Sequence, residues 1–321
     1  MLKNTPAMYK KAYPFLKEVD SLALANVQLH LEKAYKNFFR DPKVGFPRFK
    51  SKHHSKNSYT TNAVNGNILV EDNRIRLPKL KWISMKKHRE PVENCRLKSV
   101  TVSMEPSGKY FASLLYEGYS CENQAADKDY SNAKILGIDY AMQGMAVFSE
   151  EIEMEEAGFF RKNEKRLARE QRKLSRCVKG SRNYVRQKKK VARCHEKIRS
   201  QRRDHLHKLS RRITDQYDIV AVEDIDMKAM SQCLHFGKSI QDNGYGMFRN
   251  MLDYKLAWKG KELVKADRFF PSSKKCSKCG KIKKELKLSE RVYRCTCGNE
   301  MDRDRNAAIN IREEARRMLA A

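Results

Sequence analysis

The stretch Ile135-Leu-Gly-Ile-Asp-Tyr140 is a short apolar run that ends in a carboxylate, and Ile219-Val-Ala-Val-Glu-Asp224 repeats this pattern. Both runs have the length and the branched residues of buried strands. In open α/β sheets, ligands bind at the edge where the carboxyl ends of parallel strands meet. Asp139 taken alone would favour a strand cap in solvent over a ligand, but Asp139 and Glu223 together favour a site at this edge.

A third carboxylate comes from Met301-Asp-Arg-Asp-Arg-Asn-Ala-Ala-Ile-Asn-Ile311, where a helix is predicted to start near residue 303. Asp302 could simply be its N-cap. The helix has a small apolar face that can lie close to a sheet, made of Ala307, Ala308 and Ile311. Asp304 lies three, four and seven residues before them, and therefore on that face. We choose Asp304 over Asp302 for this reason.

The three carboxylates predict a reaction class. Carboxylate oxygens suit Mg²⁺ or Mn²⁺ better than zinc. Paired ions about 4 Å apart would activate a water, hold a scissile phosphate and stabilise the leaving 3′-oxygen. Asp139, Glu223 and Asp304 are therefore predicted to be catalytic residues and magnesium ligands in phosphodiester hydrolysis.

The charge of the chain indicates a polyanionic partner. Its 321 residues include 68 Lys or Arg against 39 Asp or Glu, a net charge of +29. This excess is far beyond what solubility requires, and nucleic acid is the expected partner. With 40% hydrophobic residues the chain can still bury a core, so we expect it to fold.

More than half of this charge lies in one segment. Residues 161–212 hold 22 Lys or Arg against 4 Asp or Glu, with one glycine and no proline. Apolar residues recur there at helical spacing, which predicts a basic helical hairpin. A merely solvated helical pair would mix the two signs of charge. A nucleic-acid surface is favoured, and its candidate contacts are Arg169, Arg172, Lys173, Arg176, Arg186, Lys189 and Arg193.

Four cysteines have the spacing of metal ligands. Cys276-Ser-Lys-Cys279 and Cys295-Thr-Cys297 are separated by fifteen residues, and a glycine follows each pair. Two such knuckles match tetrahedral zinc, and a site filled by four sulfurs leaves no position for water or substrate, so the zinc is predicted to be structural. The other cysteines are expected to be ordinary thiols: Cys95, Cys121, Cys177, Cys194 and Cys233, the last with His235 too weak a pair to count.

Membrane attachment and export are not indicated. The mean hydropathy is −0.78, no window approaches about 18 uncharged apolar residues, and the first twenty residues carry charges throughout. Without an export signal, nine cysteines do not indicate a disulfide framework. The expected compartment is the reducing cytoplasm.

Changes of texture along the chain indicate its domains. Helical spacing predicts a helix from Asp20-Ser21 to just before Asp41-Pro42, and alternation with hairpin signals predicts an antiparallel barrel after it. Short apolar runs and a helix over 248–258 predict an α/β unit beyond a polar linker. The predicted divisions are an N-terminal helical segment (1–56), the barrel (57–118), the linker (119–133), the α/β unit (134–275) with its basic hairpin (161–212), the zinc ribbon (276–298), and the last motif with a C-terminal helix (299–321).

These residues together resemble the TnpB (OrfB) proteins of bacterial insertion elements, RNA-guided relatives of the type V CRISPR effectors. The resemblance runs from about Tyr13 to Met318. Its markers are Gly137-Ile-Asp-Tyr140, Val222-Glu-Asp-Ile225, Phe270-Pro-Ser-Ser-Lys-Lys-Cys276 and Asp302-Arg-Asp-Arg-Asn-Ala-Ala308. Two connecting segments also have counterparts, Gly45-Phe-Pro-Arg-Phe-Lys-Ser51 and Gly237-Lys-Ser-Ile-Gln-Asp-Asn-Gly-Tyr245.

The resemblance implies an RNase H-like (RuvC) nuclease domain carrying a zinc ribbon, preceded by an oligonucleotide-binding-type barrel with helices. It implies that Asp139, Glu223 and Asp304 catalyse cleavage of double-stranded DNA selected by the element's guide RNA beside a short adjacent motif. It also places the protein in a bacterial or archaeal cytoplasm, associated with the nucleoid. Ala141 stands where many relatives have glycine.

Two alternatives stay open. The N-terminal segment is shorter than is usual in the family, so one alternative is a truncated protein that binds nucleic acid without cutting a target. The other is a DNA-strand-exchange transposase, which the carboxylates alone would permit but the position of the zinc ribbon disfavours. The guide RNA sequence, the target-adjacent motif, the oligomeric state and the host are not given by the sequence.

Overall fold

The computed structural model describes residues 5–49, 51, 57–91, 93–118, 130, 132–141, 144–154, 158–226, 243–287 and 289–320. Packing divides the chain into two compact units, Met1–Glu122 and Asn123–Ala321. Most of the predicted linker, together with Cys121, Cys233 and His235, lies outside the described residues. In the described part of the chain, no helix has the length and apolar character that a membrane span needs.

The first unit combines one long helix with two antiparallel sheets. Its elements are α1 (Ser21–Arg40), β1 (Asn57–Asn62), β2 (Leu69–Glu71), β3 (Arg74–Leu77), β4 (Lys81–Ser84), β5 (Arg96–Met104) and β6 (Tyr110–Glu117). One sheet has the order β1-β5-β6 and the other has the order β2-β3-β4. A small core joins their side chains, made of Ile68, Ile75, Leu77 and Val100. These are two sheets in the described strands, and their closure into a barrel stays a prediction.

The helix α1 has the predicted bounds, but none of the apolar residues that recur along it at helical spacing is fully buried. This stripe consists of Leu22, Leu24, Val27, Leu31, Tyr35, Phe38 and Phe39. Asp20 is its N-cap, because the Asp20 Oδ1 atom accepts a hydrogen bond from the backbone N–H of Leu22 at 3.1 Å. The buried residues are Ala23 and Asn26, and the amide of Asn26 donates to the Thr60 carbonyl of β1 at 3.0 Å. Three residues of the stripe are exposed instead: Val27, Leu31 and Phe39.

The second unit is built on a mixed sheet. Its elements are β7 (Ile135–Ala141), β8 (Met145–Phe148), α2 (Phe159–Ser175), α3 (Arg182–Gln216), β9 (Ile219–Glu223), α4 (Tyr245–Trp258), β10 (Glu262–Ala266), β11 (Val292–Arg294), β12 (Glu300–Asp302) and α5 (Arg303–Ala320). The sheet has the order β10-β9-β7-β8, in which β9 is parallel to both of its neighbours and β8 is antiparallel to β7. The predicted strands are confirmed, and the helix predicted at 248 begins three residues earlier.

The two faces of this sheet bury alternate residues of the same strands. Leu136 and Ile138 pack with side chains of α3 and α4, whereas Ile135 packs with Ile311 and Ala315 of α5. This alternation follows from the period of two in a strand, and both faces are covered because the strands are apolar throughout. The helices α3 and α4 therefore cover one face of the sheet, and α5 covers the other.

Gly137 lets α5 approach the sheet closely. A Cβ atom at this position would lie 2.0 Å from the Ala308 carbonyl oxygen and 2.8 Å from the backbone nitrogen of Arg312. These are backbone atoms of a helix, so they cannot move aside as the end of a side chain can. A side chain at residue 137 would push α5 off β7.

We therefore predict that Gly137→Ala lowers the free energy of unfolding by about 3 kcal/mol, the upper end of the usual cost of overpacking. Urea denaturation followed by circular dichroism measures this loss. The matched control is Gly246→Ala in α4, where an added Cβ atom meets nothing within 4 Å. The control should be neutral or stabilising by about 0.5–1 kcal/mol, as alanine is in helices. Equal denaturation midpoints for the two variants would contradict the packing argument.

The predicted basic hairpin is present as α2 and α3. Its two helices pack together through Leu167, Cys194 and Ile198. Toward its C-terminus α3 packs on the sheet instead, with Leu206, Leu209 and Ile213 in the main core. The hairpin is thus anchored by the second half of α3, while its first half contacts α2.

Candidate catalytic and metal sites

Asp139 and Glu223 lie side by side at the ends of two neighbouring parallel strands. The register pairs Ile138 of β7 with Val222 of β9, so the next residue of each strand is one of the two carboxylates. Asp139 lies two and four residues after Gly137 and Ile135, and Glu223 lies two and four residues after Ala221 and Ile219. These four residues pack against α5. The period of a strand therefore places both carboxylates on the α5 face.

The first turn of α5 brings a third carboxylate to this face. Ala307, Ala308 and Ile311 are at most 1% exposed, as the predicted small apolar face requires. Asp304 precedes them at helical spacing and is partly buried. Asp302 is exposed, and its Oδ1 atom accepts a hydrogen bond from the backbone N–H of Arg305 at 2.9 Å. Asp302 thus caps the helix, and Asp304 is the carboxylate on the sheet side.

The charges of the other two carboxylates act on Asp139. Asp139 is 8% exposed. Burial raises its pKa well above the usual range, and the negative charges of Glu223 and Asp304 raise it further. The guanidinium of Arg303 and a backbone hydrogen bond from Tyr140 oppose this rise only in part. Burial also raises the pKa of Glu223, against the effect of a hydrogen bond from Ser272. Asp139 and Glu223 thus both resist ionisation, and a divalent cation bound between them would stabilise their charged forms.

Arginines hold the carboxylate of Asp304 in the structure. The Arg303 Nη2 atom donates to Asp304 Oδ1 at 3.0 Å, and the Arg291 Nη1 atom lies 3.5 Å from Oδ2. Among the described residues, the cysteines below form the one group of three or more whose ligand atoms lie close enough together to hold a single ion. A pair of ions requires a wider arrangement of ligands, and carboxylates on separate elements can supply it.

The neighbouring Asp224 is engaged elsewhere. Its Oδ2 atom lies 3.3 Å from the Arg268 guanidinium, and its Oδ1 atom lies 3.8 Å from that of Arg249. Asp224 therefore pairs with arginines, although it is next to Glu223 in the sequence. Sequence reasoning did not anticipate either arginine, because both are distant along the chain.

The four predicted metal ligands come together. The sulfurs of Cys276, Cys279, Cys295 and Cys297 all lie within 4.8 Å of one another. Cys276 Sγ is 3.7 Å from Cys297 Sγ, and Cys279 Sγ is 3.6 Å from Cys295 Sγ. Tetrahedral coordination with metal–sulfur bonds of about 2.3 Å requires sulfurs about 3.8 Å apart. These cysteines can therefore hold a metal ion with little adjustment.

The local backbone explains why the sulfurs converge. Gly280 and Gly298 follow the two knuckles with φ angles of +78° and +83°, a conformation that glycine adopts without strain. The Cys276 thiol is buried, which opposes its ionisation, but backbone N–H groups of Lys278 and Cys279 and the amide of Asn299 lower its pKa to about 6. Cys276 thus favours the thiolate form that binds metals, whereas the pKa of Cys279 is raised to about 11, against a backbone hydrogen bond from Lys281, by its hydrogen bonds with the neighbouring cysteines.

The seven predicted nucleic-acid contacts are all exposed on α2, α3 and the turn between them. Lys173 and Arg193 line a cleft of about 310 Å³ between the two helices. Arg166, Lys190 and Lys197 line the same cleft, and sequence reasoning missed them. The other predicted contacts lie outside the cleft lining: Arg169, Arg172, Arg176, Arg186 and Lys189. The sequence did contain a signal for them: Arg166 lies seven residues before Lys173, and Lys190 and Lys197 lie three residues before and four residues after Arg193, so each pair shares a helix face.

The fold and these sites define an α/β protein with a carboxylate cluster at the sheet edge, a four-cysteine centre and a strongly basic hairpin. Residues 118–234 match the OrfB_IS605 family, described as "Probable transposase", and residues 245–311 match the Cas12f1-like TNB domain. The chain belongs to the TnpB (OrfB) family of insertion-element RNA-guided nucleases, which are related to the type V CRISPR effectors.

Two relatives and one solved structure illustrate this membership. A Streptomyces pristinaespiralis protein described as an RNA-guided DNA endonuclease is 36% identical over 92% of this chain and 72% of its own length. InsQ of Escherichia coli K12, described in the same way, is 32% identical over 95% of this chain and 77% of its own length. The Cas12f1–sgRNA–target DNA complex shares the fold at 16% identity, with a TM-score of 0.55 over 91% of this chain and 71% of that one.

Proposed function

We propose that this protein is a metal-dependent endonuclease that cuts double-stranded DNA selected by pairing with a guide RNA. The observation that carries the proposal is the placement of Asp139, Glu223 and Asp304 on one face of the sheet, where the charges of Glu223 and Asp304 act on Asp139. The descriptions of the two relatives as RNA-guided DNA endonucleases support the same activity. Neither the carboxylate placement nor the descriptions of the relatives depends on the basic charge of α2 and α3.

Each carboxylate has a separate support. Asp139 and Glu223 are held by strands of the buried sheet, and Asp304 is held by a helix that packs on β7. Mg²⁺ or Mn²⁺ bound to them would supply Lewis-acid activation of water and of the scissile phosphate. The protein's own part is to hold these oxygens on rigid elements and to keep Asp139 out of bulk water, which strengthens its attraction for cations.

The four-cysteine centre is proposed to hold structural zinc. Four sulfur ligands satisfy a tetrahedral ion completely, so substrate has no position on it. The hairpin is proposed to hold the phosphate backbone of the guide RNA or the guide–target duplex, and residues 57–118 are proposed to form an oligonucleotide-binding unit. Because DNA and transcripts of the element would be its partners, the proposed location is the cytoplasm at the nucleoid.

The test is a cleavage assay with the RNA that copurifies with the protein. The RNA is sequenced, and double-stranded DNA matching its variable end is supplied next to a randomised adjacent motif. We expect cleavage that depends on Mg²⁺, on the match and on one short motif. RNA that copurifies without cleavage of any matched target would instead support a nucleic-acid-binding protein without nuclease activity.

The hairpin yields a separate prediction about salt dependence. Replacing Arg169, Arg172, Lys173 and Arg176 with glutamine should make RNA binding less dependent on salt. For every phosphate that the variant no longer neutralises, the slope of log affinity against log salt should fall by about 0.7 on single strands or about 0.9 on duplexes. Filter binding at several salt concentrations measures the slope.

The matched control keeps the charge, with Arg169→Lys, Arg172→Lys and Arg176→Lys in one protein. This variant should retain the wild-type slope, because point charges suffice for backbone contacts. If the glutamine variant also keeps the wild-type slope and affinity, the hairpin serves only to pack its own apolar residues.

A further inference from the structure

A short segment connects the two candidate sites. We call residues 271–276 the strap. It begins with Pro271, whose carbonyl accepts hydrogen bonds from the backbone N–H groups of Lys274 and Lys275 at 3.1 and 3.0 Å. It ends at Cys276, the first of the four clustered cysteines. These two hydrogen bonds close a turn, which makes the strap compact.

The strap is attached to α5 by two buried asparagines. The Asn310 amide, 2% exposed, donates to the carbonyls of Ser272 at 2.8 Å and Lys275 at 2.7 Å. The fully buried Asn306 donates to the same Lys275 carbonyl at 2.7 Å and accepts from the backbone N–H of Ser277 at 3.0 Å. Asn306 and Asn310 are four residues apart and share one helix face, so they fix the strap at several points.

The strap also contacts the carboxylate site directly. The Ser272 hydroxyl donates a hydrogen bond to Glu223 Oε1. Ser272 is 4% exposed, so water cannot readily replace it as a donor. This bond favours the ionised form of Glu223 and fixes the direction of its carboxylate. The adjacent Ser273 is in the same strap but has no such bond to Glu223, and it is more exposed.

We propose that Ser272 is a positioning residue for Glu223, and that through it the metal occupancy of the cysteine site controls the affinity of the carboxylate site for divalent cations. Metal at Cys276 fixes the C-terminal end of the strap, the asparagines hold its middle, and Ser272 orients Glu223 at its start. Coupling of two binding equilibria is reciprocal, so a cation at the carboxylates also strengthens metal retention by the cysteines.

This proposal rests on the proposed function to the extent that Glu223 holds the catalytic cation. Its first test is Mn²⁺ binding to the zinc-loaded full-length protein, measured by isothermal titration calorimetry. Ser272→Ala should weaken Mn²⁺ binding about 10-fold, as loss of an outer-shell partner typically does. Ser273→Ala should stay within about twofold of wild type, and Ser272→Thr, which keeps the hydroxyl, should recover most of the affinity. An unchanged affinity in Ser272→Ala would overturn the positioning role.

Glu223→Gln separates the two proposals. If it leaves Mn²⁺ binding unchanged, the carboxylate site itself is wrong and the proposed function fails. If Glu223→Gln abolishes binding while Ser272→Ala does not alter it, only the positioning role fails. Cleavage adds a further criterion, because a loss in Ser272→Ala that saturating Mg²⁺ restores indicates weaker ion binding rather than damaged chemistry.

The second test measures the coupling without removing zinc from the protein first. Zinc is partitioned at equilibrium between the protein and a chromogenic chelator that does not bind Mg²⁺, with and without saturating Mg²⁺. Wild-type protein should retain zinc several-fold more strongly when Mg²⁺ is present, and Ser272→Ala should show no dependence on Mg²⁺. If Mg²⁺ leaves zinc retention by the wild type unchanged, the two sites are not coupled.

Discussion

Asp139→Ala, Glu223→Ala and Asp304→Ala are each expected to abolish Mg²⁺-dependent DNA cleavage while leaving RNA affinity within a few fold of wild type. Each change removes an oxygen ligand from an ion that carries transition-state charge, a loss of several kcal/mol that corresponds to about 10³-fold or more in rate. RNA affinity should persist because the carboxylates hold ions and repel phosphate. Single-turnover cleavage and filter binding on the same preparations measure the two effects.

Asp302→Ala is the matched control for this series. Asp302 has the same side chain as Asp304 and is two residues away, but its carboxylate caps α5. The control should lose about 1 kcal/mol of stability, as a lost N-cap does, and keep most of the cleavage rate. If Asp302→Ala abolished cleavage and Asp304→Ala retained it, the assignment of the sheet-facing carboxylate would be reversed.

The buried carboxylate gives an independent measure that does not use activity. Because the pKa of Asp139 is raised in the folded protein, its ionisation at neutral pH opposes folding when no cation is present. Asp139→Asn should therefore raise the melting temperature measured without divalent ions. Mg²⁺ should raise the melting temperature of wild type and leave that of Asp139→Asn nearly unchanged. A wild-type protein insensitive to Mg²⁺ would argue against cation binding at Asp139.

The sequence was sufficient to predict the elements that carry the site. Two short apolar runs predicted buried strands that end in Asp139 and Glu223, and the spacing of small residues in α5 predicted which aspartate faces the sheet. Cysteine spacing predicted the four-sulfur cluster. These features succeed because each is local, so that a few neighbouring residues determine strand, helix face or knuckle.

The contacts that support the site are not local, and the sequence did not reveal them. Ser272 meets Glu223 across 49 positions of the chain, and Asn310 meets Ser272 across 38. From the sequence, Gly137 is only a residue of low strand propensity, although the absence of its side chain is what allows α5 to approach β7 closely. Periodicity also cannot say what covers an apolar face, which is why the stripe of α1 was predicted correctly as helical but is only partly covered.

Loss of the cysteine-bound metal is the second large effect we expect. The hairpin of β11 and β12 has short strands, and Tyr293 is its one fully buried large side chain among the described residues. Such a segment has too little apolar area to fold alone. In small domains of this kind the metal site forms only when the chain folds, so the zinc-binding free energy, about 10–16 kcal/mol, drives folding. Removal of the metal should therefore unfold this region first.

Cys276→Ser and Cys297→Ser, one from each knuckle, are expected to reduce the zinc content from about one ion per chain to near zero and to make residues 276–302 sensitive to protease. The control Cys95→Ser replaces a cysteine outside the cluster and should retain the ion. Metal analysis by mass spectrometry and limited proteolysis measure the two outcomes. Because Cys276 ends the strap that holds Ser272, Cys276→Ser should also weaken Mn²⁺ binding at the carboxylates. A wild-type protein that contains no zinc and has the same melting temperature with and without chelator would contradict both predictions.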